Sequence, residues 1–193
     1  MNRLLLLVIL VVTSLPTLIR AEVSIESSRW QLPVGRPTKP VWHDVSAWLL
    51  PPNGSVAAAP RLELRLRNAA GKADEAMLLR YIVTARLVPI VGGGEGVWAI
   101  PFILEDRRVP TIRAGETRPV PAGLNRAVLG AYLKRMARAG YWPDALRLQV
   151  MLEPRPGEST LQGRIHESVL PVLWKQQAAG TAPAGEAKGG GPR

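Results

Sequence analysis

The chain has 193 residues, with 25 Lys and Arg against 15 Asp and Glu, two His and no Cys. The missing cysteine excludes disulfides, thiolate metal sites, thiol catalysis and lipid attachment through a cysteine. The net charge of +10 favours anionic partners such as phospholipid head groups, lipopolysaccharide, teichoic acids or nucleic acid. A soluble domain that simply keeps its charge away from neutrality is the alternative.

Residues 1–21 have the layout of a secretory signal peptide, because Arg3 precedes an apolar run from Leu4 to Val12 and the stretch ends at Ala21. The run is shorter than the ~20 apolar residues of a membrane span, so we expect cleavage after Ala21. An uncleaved N-terminal anchor is the alternative, since Ile19 is larger than the residue usually preferred there. Cleavage leaves 23 basic against 15 acidic residues, a net charge of +8. An exported chain without cysteine points to a periplasmic, cell-surface or secreted bacterial protein.

The segments "EVSIESSRW" and "VWHDVSAWLL" are predicted strands near the N-terminal end. Trp42 and Trp48 are an even number of positions apart, so in one strand they share a face. Trp42 and Trp48 are therefore candidate partner contacts in a partly exposed aromatic strip, although core packing or coverage by the N-terminal strand is favoured.

The clearest strand is "RLELRLRN", in which leucines alternate with charged residues, as in a half-buried antiparallel strand. The following segment, "MLLRYIVTARLVPI", alternates in the same way. If the two strands are neighbours, Arg65, Arg67, Arg80 and Arg86 form one basic surface for an anionic polymer or a partner protein. Nucleic acid is not expected, because the stacking aromatics of single-strand binders are missing. A merely solvated face is the alternative.

The glycine run Gly92–Gly96 is predicted to be a hairpin loop before the strand "VWAIPFILE". Trp98 is expected in the core because of its apolar neighbours. Pro101 lacks a backbone donor and predicts an edge or a bulge. "EDRR" is expected to form a charged turn.

The stretch "NRAVLGAYLKRMARAGYW" predicts an amphipathic helix over residues 125–139, with Asn125 as its N-cap and Gly140 at its end. Its apolar arc suits docking on a sheet. The outward Lys134, Arg135 and Arg138 are candidate partner contacts, with peripheral membrane contact as the alternative.

The segments "DALRLQVMLEP" and "TLQGRIHESVLPVLW" predict a closing hairpin. We therefore expect a mainly β chain, an immunoglobulin-like antiparallel β-sandwich whose single helix precedes the last hairpin. Residues 22–174 have the length of one domain. Residues 175–193, rich in Ala, Gly and Pro, are predicted to be a disordered tail.

The strand "LELRLRNAAGKADEA" and the downstream "IRAGETRPV" resemble bacterial immunoglobulin-like modules, including the CARDB type, over residues 61–124. The resemblance implies an all-β fold and says little about the ligand.

The sequence contains no catalytic, cofactor or metal signature. Its two histidines, His43 and His166, are too few for a three-histidine zinc site, and we expect both on the surface. We therefore predict a non-enzymatic, exported binding or assembly module that contacts an envelope protein or an anionic polymer and needs no cofactor. A membrane- or wall-anchored structural protein is the alternative, followed by an unrecognised hydrolase.

Overall fold

The computed structural model describes residues 23–35, 38–52, 56–153 and 161–174. In these ranges the chain is mainly β, with ten strands in two sheets and one α-helix. The predicted signal peptide and C-terminal tail lie outside the described residues. Within the same ranges, no helix has both the length and the apolar character that a membrane span requires.

One sheet has four antiparallel strands. In spatial order they are β2 (Val41–Asp44), β1 (Val23–Val34), β4 (Arg61–Asn68) and β8 (Thr117–Gly123). β2 extends only beside the end of β1, where Val41–Asp44 pair with Gln31–Val34. At the other edge, β8 carries Pro119 and Pro121, which lack backbone donors and suit an edge strand.

The other sheet has six strands. They are β3 (Trp48–Leu49), β10 (Ile165–Leu173), β9 (Tyr141–Leu152) and β5 (Leu78–Pro89), with β6 (Val97–Trp98) and β7 (Ile103–Arg108) side by side on the far edge of β5. Pro101 falls in the break between β6 and β7, in agreement with the predicted edge or bulge. The expected "EDRR" turn is wrong, because these residues belong to β7, where Asp106 pairs with Arg80. β3 and β10 are parallel.

The strand order is immunoglobulin-like. The chain crosses between the sheets after β2, β3, β4 and β7, and after β8 it returns to the six-stranded sheet through the helix α1 (Arg126–Arg138). In immunoglobulin lettering β1, β4 and β8 correspond to strands A, B and E, and β7, β5, β9 and β10 to C′, C, F and G. The fold is thus the predicted sandwich, with its helix before the last hairpin.

Leucine alternation builds the core between the two sheets. Leu62, Leu64 and Leu66 of β4 and Leu146 and Leu148 of β9 are fully buried. A strand turns every second side chain to the same face, so these leucines face one another across the sandwich.

Asn68 stabilises the turn after β4. It is fully buried, and its amide donates to the carbonyl oxygens of Lys72 at 2.9 Å and Ile112 at 3.0 Å. Its side-chain oxygen accepts from the Ala70 amide at 2.9 Å. This asparagine, part of the motif that resembles immunoglobulin-like modules, therefore has a structural role.

The helix α1 closes one end of the sandwich. The Asn125 side chain accepts from the amides of Ala127 at 2.9 Å and Val128 at 3.2 Å, as predicted for its N-cap. Leu129 and Leu133 are buried beneath the helix. These contacts agree with the predicted docking of its apolar arc on a sheet.

Candidate binding surfaces

The arginines of β4 lie on the outer face of the four-stranded sheet, here called the charged face. Its charged residues are Glu26, Arg29, Asp44, Arg61, Glu63, Arg65 and Arg67. Arg65 is exposed and has no ion-pair partner among the described residues, whereas Arg67 lies 3.6 Å from Glu26. Two of the four predicted contact arginines of the strands are therefore on this face.

An ion-pair network neutralises the centre of the charged face. Arg29 donates to Glu63 at 2.9 and 2.6 Å and to Asp44 at 3.1 Å. Arg61 donates to the Gln31 side chain at 2.9 Å. Because these cations already have partners, Arg65 is the cation of this face that lacks an ion-pair partner in the described part of the chain.

Arg80 and Arg86 lie on the outer face of the other sheet, and each has a carboxylate partner. Arg80 donates to both oxygens of Asp106 at 2.7 and 2.8 Å, and these hydrogen bonds lower the pKa of that carboxyl. Arg86 donates to both oxygens of Asp144 at 2.8 and 2.9 Å.

The predicted single basic surface is therefore wrong. β4 and β5 follow each other in the chain but belong to different sheets, so Arg65 and Arg67 are on the opposite side of the molecule from Arg80 and Arg86. The connection between the strands crosses the sandwich, and alternation within one strand carries no information about that crossing.

The predicted aromatic strip is also wrong. Trp42 is half-buried in β2 on the charged face, with the Arg61 guanidinium 3.8 Å from its ring centroid. Trp48 is in β3 of the other sheet and is only 5% exposed. The chain leaves one sheet for the other between these residues, so their even spacing does not place them on one face.

The helix α1 borders a groove of about 920 Å³, called the α1 groove. One wall is the helix itself and the other contains Pro52 and Val56, while the buried Leu133 and Trp142 lie at its floor. Four small helix residues leave the space open. These are Ala127, Gly130, Ala131 and Ala137.

Hydrogen bonds to backbone carbonyls hold the groove together. Arg126 donates through Nε to the Val56 carbonyl at 2.6 Å, which ties the helix to the opposite wall. Trp142 donates through Nε1 to the Leu50 carbonyl at 2.8 Å, which fixes the floor.

The rim of the α1 groove is basic. Arg126, Lys134 and Arg138 line it, and none of the described lining residues is acidic. Arg135, the third helix residue predicted as a contact, does not line the groove. The arrangement combines apolar surface with positive charge, so it can hold a ligand that has both apolar and anionic groups.

Arg126, Gly130 and the floor of the groove were not predicted from the sequence. The available signal was the small residues recurring at helical spacing on one face, which is too common to indicate a groove by itself. The second wall comes from the segment before β4, far from the helix in sequence.

Trp98 was expected in the core, but it lies on the outer face of the six-stranded sheet. Its ring centroid is 4.3 Å from the Arg147 guanidinium carbon and 5.8 Å from that of Arg86.

Five exposed aliphatic residues lie on the outer side of the six-stranded sheet, here called the apolar face. They are Leu49, Leu104, Ile165, Val169 and Leu173.

The two histidines lie apart. His43 is exposed on β2, whereas His166 is half-buried, contrary to the expected surface position. His166 Nε2 lies 2.7 Å from the Ser28 hydroxyl of the opposite sheet, and burial lowers its pKa. Among the described residues, no three His, Cys, Asp or Glu side chains cluster to hold a metal.

No protein-family model and no curated protein matches the chain. Among solved structures, the chain is similar to a β-glucosidase from Listeria innocua in complex with gluconolactone, at 13% identity and a TM-score of 0.33. The match covers 75% of this chain and 16% of that one. A likeness at this TM-score carries no argument about fold or activity.

Proposed function

We propose that the chain is an exported, non-enzymatic binding module of the bacterial envelope that holds a segment of a protein partner in the α1 groove. The segment presents apolar side chains to the floor and a carboxylate to the rim. The observation that carries this proposal is the basic rim of Arg126, Lys134 and Arg138 around an apolar floor.

The size and lining of the groove support a specific ligand. Its volume of about 920 Å³ lies within the ~300–1,000 Å³ of typical ligand sites. Pro52 and the helix residues Ala127, Ala131 and Ala137 supply solvent-accessible apolar surface, and the cations at the rim supply orientation.

The apolar floor favours a protein segment over an anionic polymer. A polyphosphate or polysaccharide chain would use the basic rim but would leave the solvent-accessible apolar surface of Pro52, Ala127 and Ala131 without apolar contact. A peptide segment uses both, and burying its apolar side chains contributes about 25 cal/mol per Å².

The export part of the proposal rests on the signal-peptide pattern of residues 1–21. N-terminal sequencing of the protein recovered from the soluble periplasm tests it. A mature chain that begins at Glu22 agrees with export and cleavage, whereas a chain that keeps Met1 and sediments with membranes supports the anchored alternative.

Photo-crosslinking in the producing cell tests the groove. A photoreactive benzophenone side chain at Ala131, which lines the groove, should form an adduct that proteases degrade. The same group at Arg135, on the same helix but outside the groove, is the matched control. A protease-resistant adduct would indicate an anionic polymer, and equal adducts at both positions would refute a groove-specific ligand.

Charge reversal sharpens this test. Lys134→Glu and Arg138→Glu should each weaken capture at Ala131 by about tenfold, since a reversed rim charge repels the carboxylate. Arg135→Glu changes the same helix by the same charge and should leave capture unchanged. Equal losses in all three variants would mean that only net charge matters.

A further inference from the structure

We infer that the partner segment in the α1 groove is extended, with carboxylates at two alternate positions and a large apolar side chain at the next alternate position. This inference rests on the proposed function and names the conformation and the charge pattern of the segment. It follows from the width and the length of the groove and from the spacing of Lys134 and Arg138.

The two walls of the α1 groove approach each other at Gly130. A β-carbon on Gly130 would lie 4.0 Å from Cγ2 of Val56, and Arg126 Nε donates to the Val56 carbonyl at 2.6 Å. Two packed helices need about 8–10 Å between their axes. Because Val56 already contacts α1 at this level, a partner helix would rest above the walls instead of entering the space between them.

The groove has the cross-section of one extended strand. Its lining extends along the helix from Ala127 to Arg138, which is about 17 Å at ~1.5 Å per residue. Its volume of about 920 Å³ over that length gives a cross-section of roughly 55 Å². A strand in a packed sheet occupies about 4.8 by 10 Å, or roughly 48 Å². A helix about 10–12 Å across occupies roughly 80–110 Å², so the extended conformation fits better.

The spacing of the two rim cations matches the repeat of an extended segment. Lys134 and Arg138 are one helical turn apart and both line the groove, and side chains at this separation are about 5–6 Å apart at their β-carbons. Alternate side chains of a strand point to the same side and lie about 6.7 Å apart. Two carboxylates at alternate positions therefore reach both cations, whereas adjacent carboxylates point to opposite sides.

Neither rim cation is neutralised within the chain. Lys134 and Arg138 have no ion-pair partner among the described residues. Both are exposed. An incoming carboxylate therefore displaces only solvent and breaks no existing ion pair.

The next alternate position of the segment falls on small helix residues. A third side chain on the same side lies about 13 Å from the first. Measured along the helix from Arg138, this is the level between Ala131 and Ala127, which are both exposed, with Gly130 between them. Small residues at this level leave room for a large apolar side chain. The pattern is acidic–x–acidic–x–aliphatic, in either chain direction, and its five residues fill the length of the groove at ~3.4 Å each.

Fluorescence anisotropy with labelled, end-capped pentapeptides and the full chain tests the pattern. Asp-Ser-Asp-Ser-Leu and its reverse place both carboxylates on one side, and Asp-Asp-Ser-Ser-Leu is the control of identical composition and charge. One of the alternating peptides should bind about threefold or more tightly than the control, because it makes one more ion pair. Equal affinities would overturn the inferred spacing.

Neutral variants identify the cations. Lys134→Gln and Arg138→Gln should each weaken binding of the alternating peptide by about three- to fivefold. Arg135→Gln removes the same charge from the same helix outside the groove and should leave the affinity unchanged. Unchanged binding in Lys134→Gln and Arg138→Gln would overturn the inferred pairing.

A helical peptide separates this inference from the proposed function. An alanine-rich peptide with two glutamates four positions apart offers the same charges on a helix. If it binds more tightly than the alternating pentapeptides, the extended conformation is wrong although the α1 groove remains a binding site. If none of the peptides binds up to about 1 mM, the inferred pattern is wrong, while a crosslinked protein adduct at Ala131 would still support the proposed function.

Discussion

The two outer faces of the sandwich differ although both are built from strands in which arginine alternates with aliphatic residues. On the charged face, Arg29, Asp44 and Glu63 form one connected network. On the apolar face, Arg80 and Arg86 are each paired separately with an aspartate, and exposed aliphatic residues such as Val169 occupy much of the rest.

This difference shows that net charge describes the surface poorly. The arginines that suggested one basic surface are distributed over two sides and largely neutralised, so a long-range attraction for anionic polymers loses much of its basis. Among the described residues, cations without an ion-pair partner include Arg65, Arg147 and those of the helix. Of the helix cations, Arg126, Lys134 and Arg138 line the α1 groove.

The largest expected change in the free energy of unfolding comes from the inner faces of the sheets. Truncating a buried leucine there should have a similar effect in either sheet. Leu64→Ala in the four-stranded sheet and Leu148→Ala in the six-stranded sheet each remove a fully buried side chain. Each should lower the free energy of unfolding by about 2–5 kcal/mol, measured by urea denaturation. A loss below about 1 kcal/mol in only one sheet would show that the faces differ inside as well as outside.

A smaller loss of stability is expected when ion pairs are removed, and it should be larger for the network of the charged face than for an isolated pair of the apolar face. The Glu63 side chain is only 12% exposed, and Glu63→Ala leaves Arg29 and Arg61 without their shared carboxylate. A hydrogen bond to a charged group contributes about 1.5–3 kcal/mol. Because Arg29 is half-exposed, solvent screening reduces the expected loss to about 1 kcal/mol.

Asp106→Ala is the comparison on the apolar face. Both Asp106 and Arg80 are more than 40% exposed, so its removal should change the free energy of unfolding less than Glu63→Ala does. Equal losses for the two variants, measured in the same urea titration, would contradict the distinction between network and isolated pair.

The smallest expected change in stability comes from His166, which contacts Ser28 where the two sheets meet. Burial lowers the pKa of His166 below its usual value of 6.5, so the unfolded state binds a proton first as the pH falls. The contribution of the neutral His166 to the free energy of unfolding is fully present above pH 6.5. It is lost as the pH falls through the lower pKa of the folded state. The melting temperature should therefore decrease between about pH 7.5 and about pH 5.

His166→Gln should reduce that pH dependence, because glutamine does not titrate and can still bond to Ser28. His43→Gln is the matched control, since His43 is exposed on β2, and should leave the slope unchanged. The same slope in the wild type and His166→Gln would assign the dependence to other groups.

Local patterns predicted the local structure well. The helix expected over residues 125–139 is observed at Arg126–Arg138, and "RLELRLRN" is the strand Arg61–Asn68. Both predictions depend on periodicity and on the Asn125 cap, which involve only neighbours in the chain. The immunoglobulin-like class followed from the same strand pattern.

The positions of individual tryptophans were harder to predict. Trp98 has apolar neighbours in sequence, but it lies outside the six-stranded sheet beside Arg147. Trp48 is buried, although its spacing from Trp42 suggested a shared surface. Sequence spacing defines which side of a strand a residue is on, and that side becomes inner or outer only when the sheets pack.

The sequence by itself determined the alternation of the strands, the start and end of the helix and the positive charge of the chain, because each depends on residues close together in the chain. Only the tertiary structure decided which arginines meet carboxylates, which sheet each strand joins and where the α1 groove opens. These features depend on contacts between distant segments, such as Arg126 with Val56 and Arg86 with Asp144. Such contacts leave no periodic signal in either segment.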